Sequence, residues 1–146
     1  MSWYVRKLLL ERDSIKSLIR DTYENGSALD LEENQFEFYD FNSDVYMDLL
    51  TVEKKLKELI DNGLISSDEL RVLEYILSNR TVSQIERDED ISRPTINKKF
   101  ADICSRVAFH LGGIFTDEGF IYYLTNKYNL KKEQISKLKN HISEEK

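Results

Sequence analysis

Arg93, Thr95, Asn97, Lys98 and Lys99 stand in one short stretch of the chain, and their side chains suit one kind of chemistry. A guanidinium can bond the O6 and N7 of guanine together and a carboxamide the N6 and N7 of adenine, while ammonium and hydroxyl groups suit phosphate oxygens. No comparable set points to catalysis or metal binding. His110 and His141 lie far apart with no neighbouring ligand set of the kind zinc requires. Gly26, Gly63, Gly112, Gly113 and Gly119 make no phosphate-cradling loop. The one cysteine, Cys104, cannot form an intramolecular disulfide, and its place one turn after Phe100 reads as a small buried hydrophobe. The expectation is a chain without catalytic residues, metal or cofactor, and not an enzyme.

The flanking residues say how the candidate side chains are positioned. Thr81 and Gln84 have capping-box spacing, which starts a short helix. Ser92 is the cap of the next helix, with Arg93 in its first turn and Pro94 where a missing N–H costs nothing. Ile96, Phe100, Ile103, Val107 and Leu111 then follow at three- and four-residue steps, one stripe of an amphipathic helix. With that stripe facing a core, Thr95, Asn97, Lys98 and Ala101 point away, and Arg93 reaches out from the helix start. Upstream, Ser66 and Glu69 repeat the capping box ahead of Leu70, Val72, Leu73, Ile76 and Leu77.

Residues 81–100 are similar to a helix-turn-helix, and residues 64–77 resemble the helix that precedes it in sigma region 4 and LuxR-type modules. The resemblance spans residues 64–111. It rests on Ile85, Ile91, Ser92, Arg93, Thr95 and Ile96, and implies a three-helix unit that lays its last helix into the major groove of double-stranded DNA. The chain departs from the family where a small residue, a leucine and a glycine are usual, having Glu86, Glu89 and Asp90 instead. Residues 84–90 thus carry four acids against Arg87, a charge that opposes a phosphate backbone. If these acids act as a brake, Glu86→Ala with Glu89→Leu should tighten nonspecific DNA binding and stabilise the unit. The other reading of the segment is a helical pair that packs or binds protein.

Charge is unevenly spread. The 146-residue chain has a net charge of −6, yet Asp21 to Glu53 hold ten acids and no Lys or Arg, leaving the remainder net positive. Within that block, Phe36, Phe38, Tyr39 and Phe41 alternate with acids. Such a segment can dock on a basic, apolar groove of a partner, or it can be a linker or short strand whose aromatics fold onto the protein's own core.

The remaining segments read as helices. Val5, Leu8, Ile15, Leu18, Ile19 and Tyr23 give one stripe over residues 3–24, and Val45, Leu49, Val52, Leu56, Leu59 and Ile60 give another over 43–62. Gly112–Gly113 break the chain before a helix that begins at Thr116–Asp117–Glu118. Ile135, Leu138 and Ile142 form an apolar stripe amid Lys131, Lys132, Lys137 and Lys139. No run approaches the roughly 18 apolar residues of a membrane span, and the N-terminus lacks a secretory apolar region, so a cytoplasmic protein without a membrane partner is expected.

The expected fold class is all-α, a helical bundle with a helix-turn-helix module in its C-terminal half. Residues 1–62 would form a helical hairpin with an acidic aromatic connection, 63–130 the module, and 131–146 a basic amphipathic helix. The expected function is sequence-specific DNA binding by a transcription regulator of sigma region 4-like, phage or prophage type. The roughly 60 residues before the module leave too little room for a promoter-melting region 2. Double-stranded DNA is the expected partner, with RNA polymerase and a second copy of the chain as further candidates. The alternatives are an RNA polymerase-binding adaptor acting through Phe36, Phe38, Tyr39 and Phe41, and a DNA-binding subunit like a phage small terminase.

Overall fold

A computed structural model describes residues 2–25 and 33–144, with side chains over 2–18 and 44–143. The elements run α1 (Trp3–Leu10), α2 (Arg12–Asn25), α3 (Glu33–Asp61), α4 (Ser67–Leu77), α5 (Val82–Glu89), α6 (Arg93–Leu111), a 3-10 turn (Gly113–Phe115), α7 (Asp117–Tyr128) and α8 (Lys132–Glu144). Among the described residues the fold is all-helical, and no helix is long and apolar enough to cross a membrane.

Two helix boundaries differ from the expectation. The stripe over residues 3–24 is divided at Glu11, which leaves helical geometry at φ −100° and ψ 14°. The partners change at the break: α1 lies against α3 and α6, whereas α2 runs chiefly along α3, with Arg12 donating to the Leu77 carbonyl of α4 at 2.8 Å. Leu18, which spacing places on the same stripe, is 46% exposed. The second difference is the start of α3, which begins at Glu33, so the backbone of Phe36 to Phe41 is helical and forms neither a linker nor a strand. In sequence, Phe38 and Phe41 extend the three- and four-residue steps of Val45, Leu49 and Val52 backwards, and no Gly or Pro interrupts them. The side chains of Phe36, Phe38, Tyr39 and Phe41 lie outside the described ones.

One core runs through most of the chain. Val5 and Leu8 of α1, Leu49, Val52 and Leu56 of α3, Leu73 of α4, and Phe100, Ile103 and Val107 of α6 are buried together. Residues 1–62 and 63–130 therefore share a single apolar interior. The α6 stripe does face that interior, with Ile103 and Val107 fully buried. Cys104 joins it, and burial pushes its thiol up to about 12, so it packs as a neutral hydrophobe.

The C-terminal elements close over α1. The N–H of Trp3 donates to Asp117 Oδ1 at 2.7 Å, joining the starts of α1 and α7. Trp3 lies 5.4 Å from the Phe120 ring and 6.0 Å, edge-on, from His141 of α8. Ile142 is buried, whereas Lys131, Lys132, Lys137 and Lys139 are exposed, so α8 is amphipathic in the sense its spacing implies.

Candidate nucleic-acid interface

The candidate face is set by how α4, α5 and α6 are held together. Val72 of α4, Ile85 of α5 and Ile96 of α6 form a small core of their own, flanked by Tyr75, Ile76, Val82 and Ile91. Each contributes one fully or nearly fully buried branched side chain, which fixes the three helices about one point.

Every helix start in this unit is capped by its own residues. Ser66 and Glu69 exchange bonds at 3.2 and 3.0 Å, and Thr81 and Gln84 do the same at 3.1 and 2.9 Å, so both capping boxes form. Ser92 caps α6, its Oγ accepting from the Thr95 N–H at 3.4 Å, with Pro94 in the first turn. The two hydroxyls of Ser92 and Thr95 also bond each other at 2.7 Å.

The acids that depart from the family pattern make specific contacts. Glu86 Oε2 accepts from the Arg93 N–H at 2.7 Å, which places a carboxylate on the positive end of α6. Glu89 accepts from the Tyr75 hydroxyl and from Arg80, each at 3.0 Å, and Arg80 also reaches Asp88 at 3.2 Å while lying over the Tyr75 ring. Arg80, and then Tyr75, hold the Glu89 carboxyl below its usual range. Asp90 ends α5 in left-handed geometry, φ 54° and ψ 42°, the conformation for which the family uses glycine. Two of these acids thus clamp α5, Glu86 against α6 and Glu89 against α4, and their charge is partly matched on the protein itself.

A further clamp joins α4 to the middle of α6. Arg106 donates to both carboxylate oxygens of Glu69 at 2.6 Å and to the Leu64 carbonyl at 3.1 Å. Glu69 is only 7% exposed, and the fork from Arg106 holds its carboxyl down at about 2. Sequence spacing identified Glu69 as a cap; nothing in spacing alone pairs it with a residue so far along the chain.

Within this frame Arg93, Thr95, Asn97 and Lys98 are exposed and Lys99 is half-buried. Arg93, Asn97 and Lys98 share one face of α6. The Arg93 guanidinium is steered across the unit by a 2.5 Å bond to Ser83 Oγ on α5. Thr95 departs from the group, since its hydroxyl is already engaged with Ser92. The face can therefore offer a planar donor fork, a carboxamide and an ammonium from a helix whose opposite side is locked in the core. Among the described residues no cluster of His, Cys, Asp or Glu could hold a metal ion. No family model, curated protein or solved structure matches the chain.

Proposed function

We propose that α4, α5 and α6 act as a helix-turn-helix unit and that the chain is a sequence-specific regulator of transcription that binds double-stranded DNA, of the sigma region 4-like, phage-related kind. The observation that carries this reading is the exposed Arg93, Asn97 and Lys98 face on a helix whose start is fixed by Ser92, Glu86 and Ser83. A surface held this firmly suits base readout, where a donor must meet a base edge within a few tenths of an ångström. Arg93 and Asn97 would contact bases. Lys98 and Lys99 would contact phosphates, and Thr95 would shape the helix start. RNA polymerase and a second copy of the chain are the partners a regulator of this kind would use.

Selection from random duplex DNA by gel shift, with the native mass measured in solution, tests the proposal. Enrichment of a defined sequence is expected, and an inverted repeat together with a dimeric mass would identify a two-fold regulator. Absence of any enrichment at low salt would overturn DNA readout.

A further inference from the structure

α5 holds Arg93 at two points. Glu86 Oε2 accepts from its backbone N–H at 2.7 Å, and Ser83 Oγ accepts from Nη2 of its guanidinium at 2.5 Å. Ser83 and Glu86 stand three residues apart in α5, so they share one face of that helix. That face is itself fixed. Ser83 lies in the first turn, between the two members of the Thr81–Gln84 capping box, and Ile85 is wholly buried in the small core with Val72 and Ile96. The anchor is therefore rigid, while the side chain it anchors is exposed.

Such a hold decides what the guanidinium can meet. An untethered surface arginine has many rotamers and meets phosphate oxygens readily, a contact that carries no sequence information. A guanidinium has five N–H donors in one plane. With one hydrogen committed to Ser83, a parallel pair is still left, the pattern that O6 and N7 of guanine accept together. Ser83 has no charge, so it directs the guanidinium without altering the number of cations offered to phosphates. We infer that Ser83 is a specificity-determining residue, which positions Arg93 for guanine from α5 without being part of the α6 face. This role rests on the proposed DNA reading and adds to it a residue that the outward face of α6 leaves out. Asn97 supplies an internal comparison. It stands four residues further along α6, about 6 Å along the axis, and base pairs stack about 3.4 Å apart, so its adenine should fall within about two steps of the guanine.

Sites selected by the full-length wild type are re-measured by competition gel shift, with each base in turn at the position whose preference Arg93→Ala removes. Guanine is expected there. Ser83→Ala should lower the preference for guanine over the other bases by roughly five-fold, the scale of one net hydrogen bond. The adenine preference and the slope of log affinity against log salt should stay as they are. Ser83→Thr keeps the hydroxyl and should restore the guanine preference, and adding Ser83→Ala to Arg93→Ala should change nothing further. Ser83 is exposed, so helicity should be kept in each variant, checked by circular dichroism. If Ser83→Ala weakens every sequence alike, leaves the guanine preference intact, or adds to the loss in Arg93→Ala, the role of Ser83 is overturned while the DNA reading stands. A base other than guanine at the Arg93-dependent position would overturn it too. Selection that enriches no sequence would remove the DNA reading and this role with it.

Discussion

Arg93 does two things at once: its backbone N–H meets Glu86 and its guanidinium meets Ser83, so its side chain projects from a prepared position. On a selected site, Arg93→Ala should cost about 1–3 kcal/mol and relax the base preference at one position, measured by competition gel shift. Lys98→Ala should instead weaken all sequences alike and lower the slope of log affinity against log salt by about one. Equal binding by wild type and by Arg93→Ala/Asn97→Ala would exclude the α6 face from DNA readout. Glu86→Ala has the opposite sign in two measurements. Removing an acid tightens nonspecific binding, whereas losing the acceptor at the start of α6 lowers stability by about 1 kcal/mol, read from urea unfolding. Glu89→Leu should likewise destabilise, since it strands the Tyr75 hydroxyl and Arg80. That is the reverse of the stabilisation expected from the family pattern alone.

Between elements, the joint between α4 and α6 should be sensitive to acid. In the unfolded chain Glu69 titrates near its ordinary 4.5, and in the fold the Arg106 fork holds it at about 2. A carboxyl whose folded value is depressed adds stability that is fully present above the unfolded value and is lost as pH falls towards the folded one. Stability should therefore decline as pH drops from about 4.5 to about 2, and Glu69→Gln should remove that part of the profile while also weakening the fold at neutral pH. Arg106→Ala leaves the Glu69 carboxylate nearly buried and short of its strongest partner, a loss of about 1–3 kcal/mol at pH 7. Urea titrations of the wild type and both variants at pH 7 and pH 3 check both statements. A pH profile unchanged by Glu69→Gln would assign the acid sensitivity to other carboxyls.

For the whole molecule, the shared core means that α1 and α3 are not appendages of the α4–α6 unit. Phe100 is buried among residues from α1, α3 and α6. Phe100→Ala should cost about 3–5 kcal/mol. It should do so equally in Trp3 fluorescence, which reports the α1, α7 and α8 end, and in far-UV circular dichroism, which reports all helices. Coincident transitions are the expected outcome for one cooperative unit. A Trp3 transition left unmoved by Phe100→Ala would mean that the two regions unfold separately.

The sequence by itself determined what is local. Capping boxes at Ser66 and Thr81, the Ser92 cap, the stripe from Ile96 to Val107 and the break at Gly112 depend on residues three or four apart, so spacing alone specifies them. Which residues of α6 point outward followed from the same periodicity. Tertiary structure decided what depends on distant partners. Glu11 interrupts a continuous stripe where α1, packed on both α3 and α6, gives way to α2, which lies chiefly on α3. Glu86 and Glu89, which by charge alone oppose DNA, serve as acceptors that only folding brings to Arg93 N, Tyr75 and Arg80. Glu69 finds Arg106 across 37 residues of chain, and a hollow opens where the start of α1 and Ile142 of α8 meet α6. An ion pair or a hollow is a property of positions in space, and no period of 3.6 residues encodes which distant side chain will arrive there.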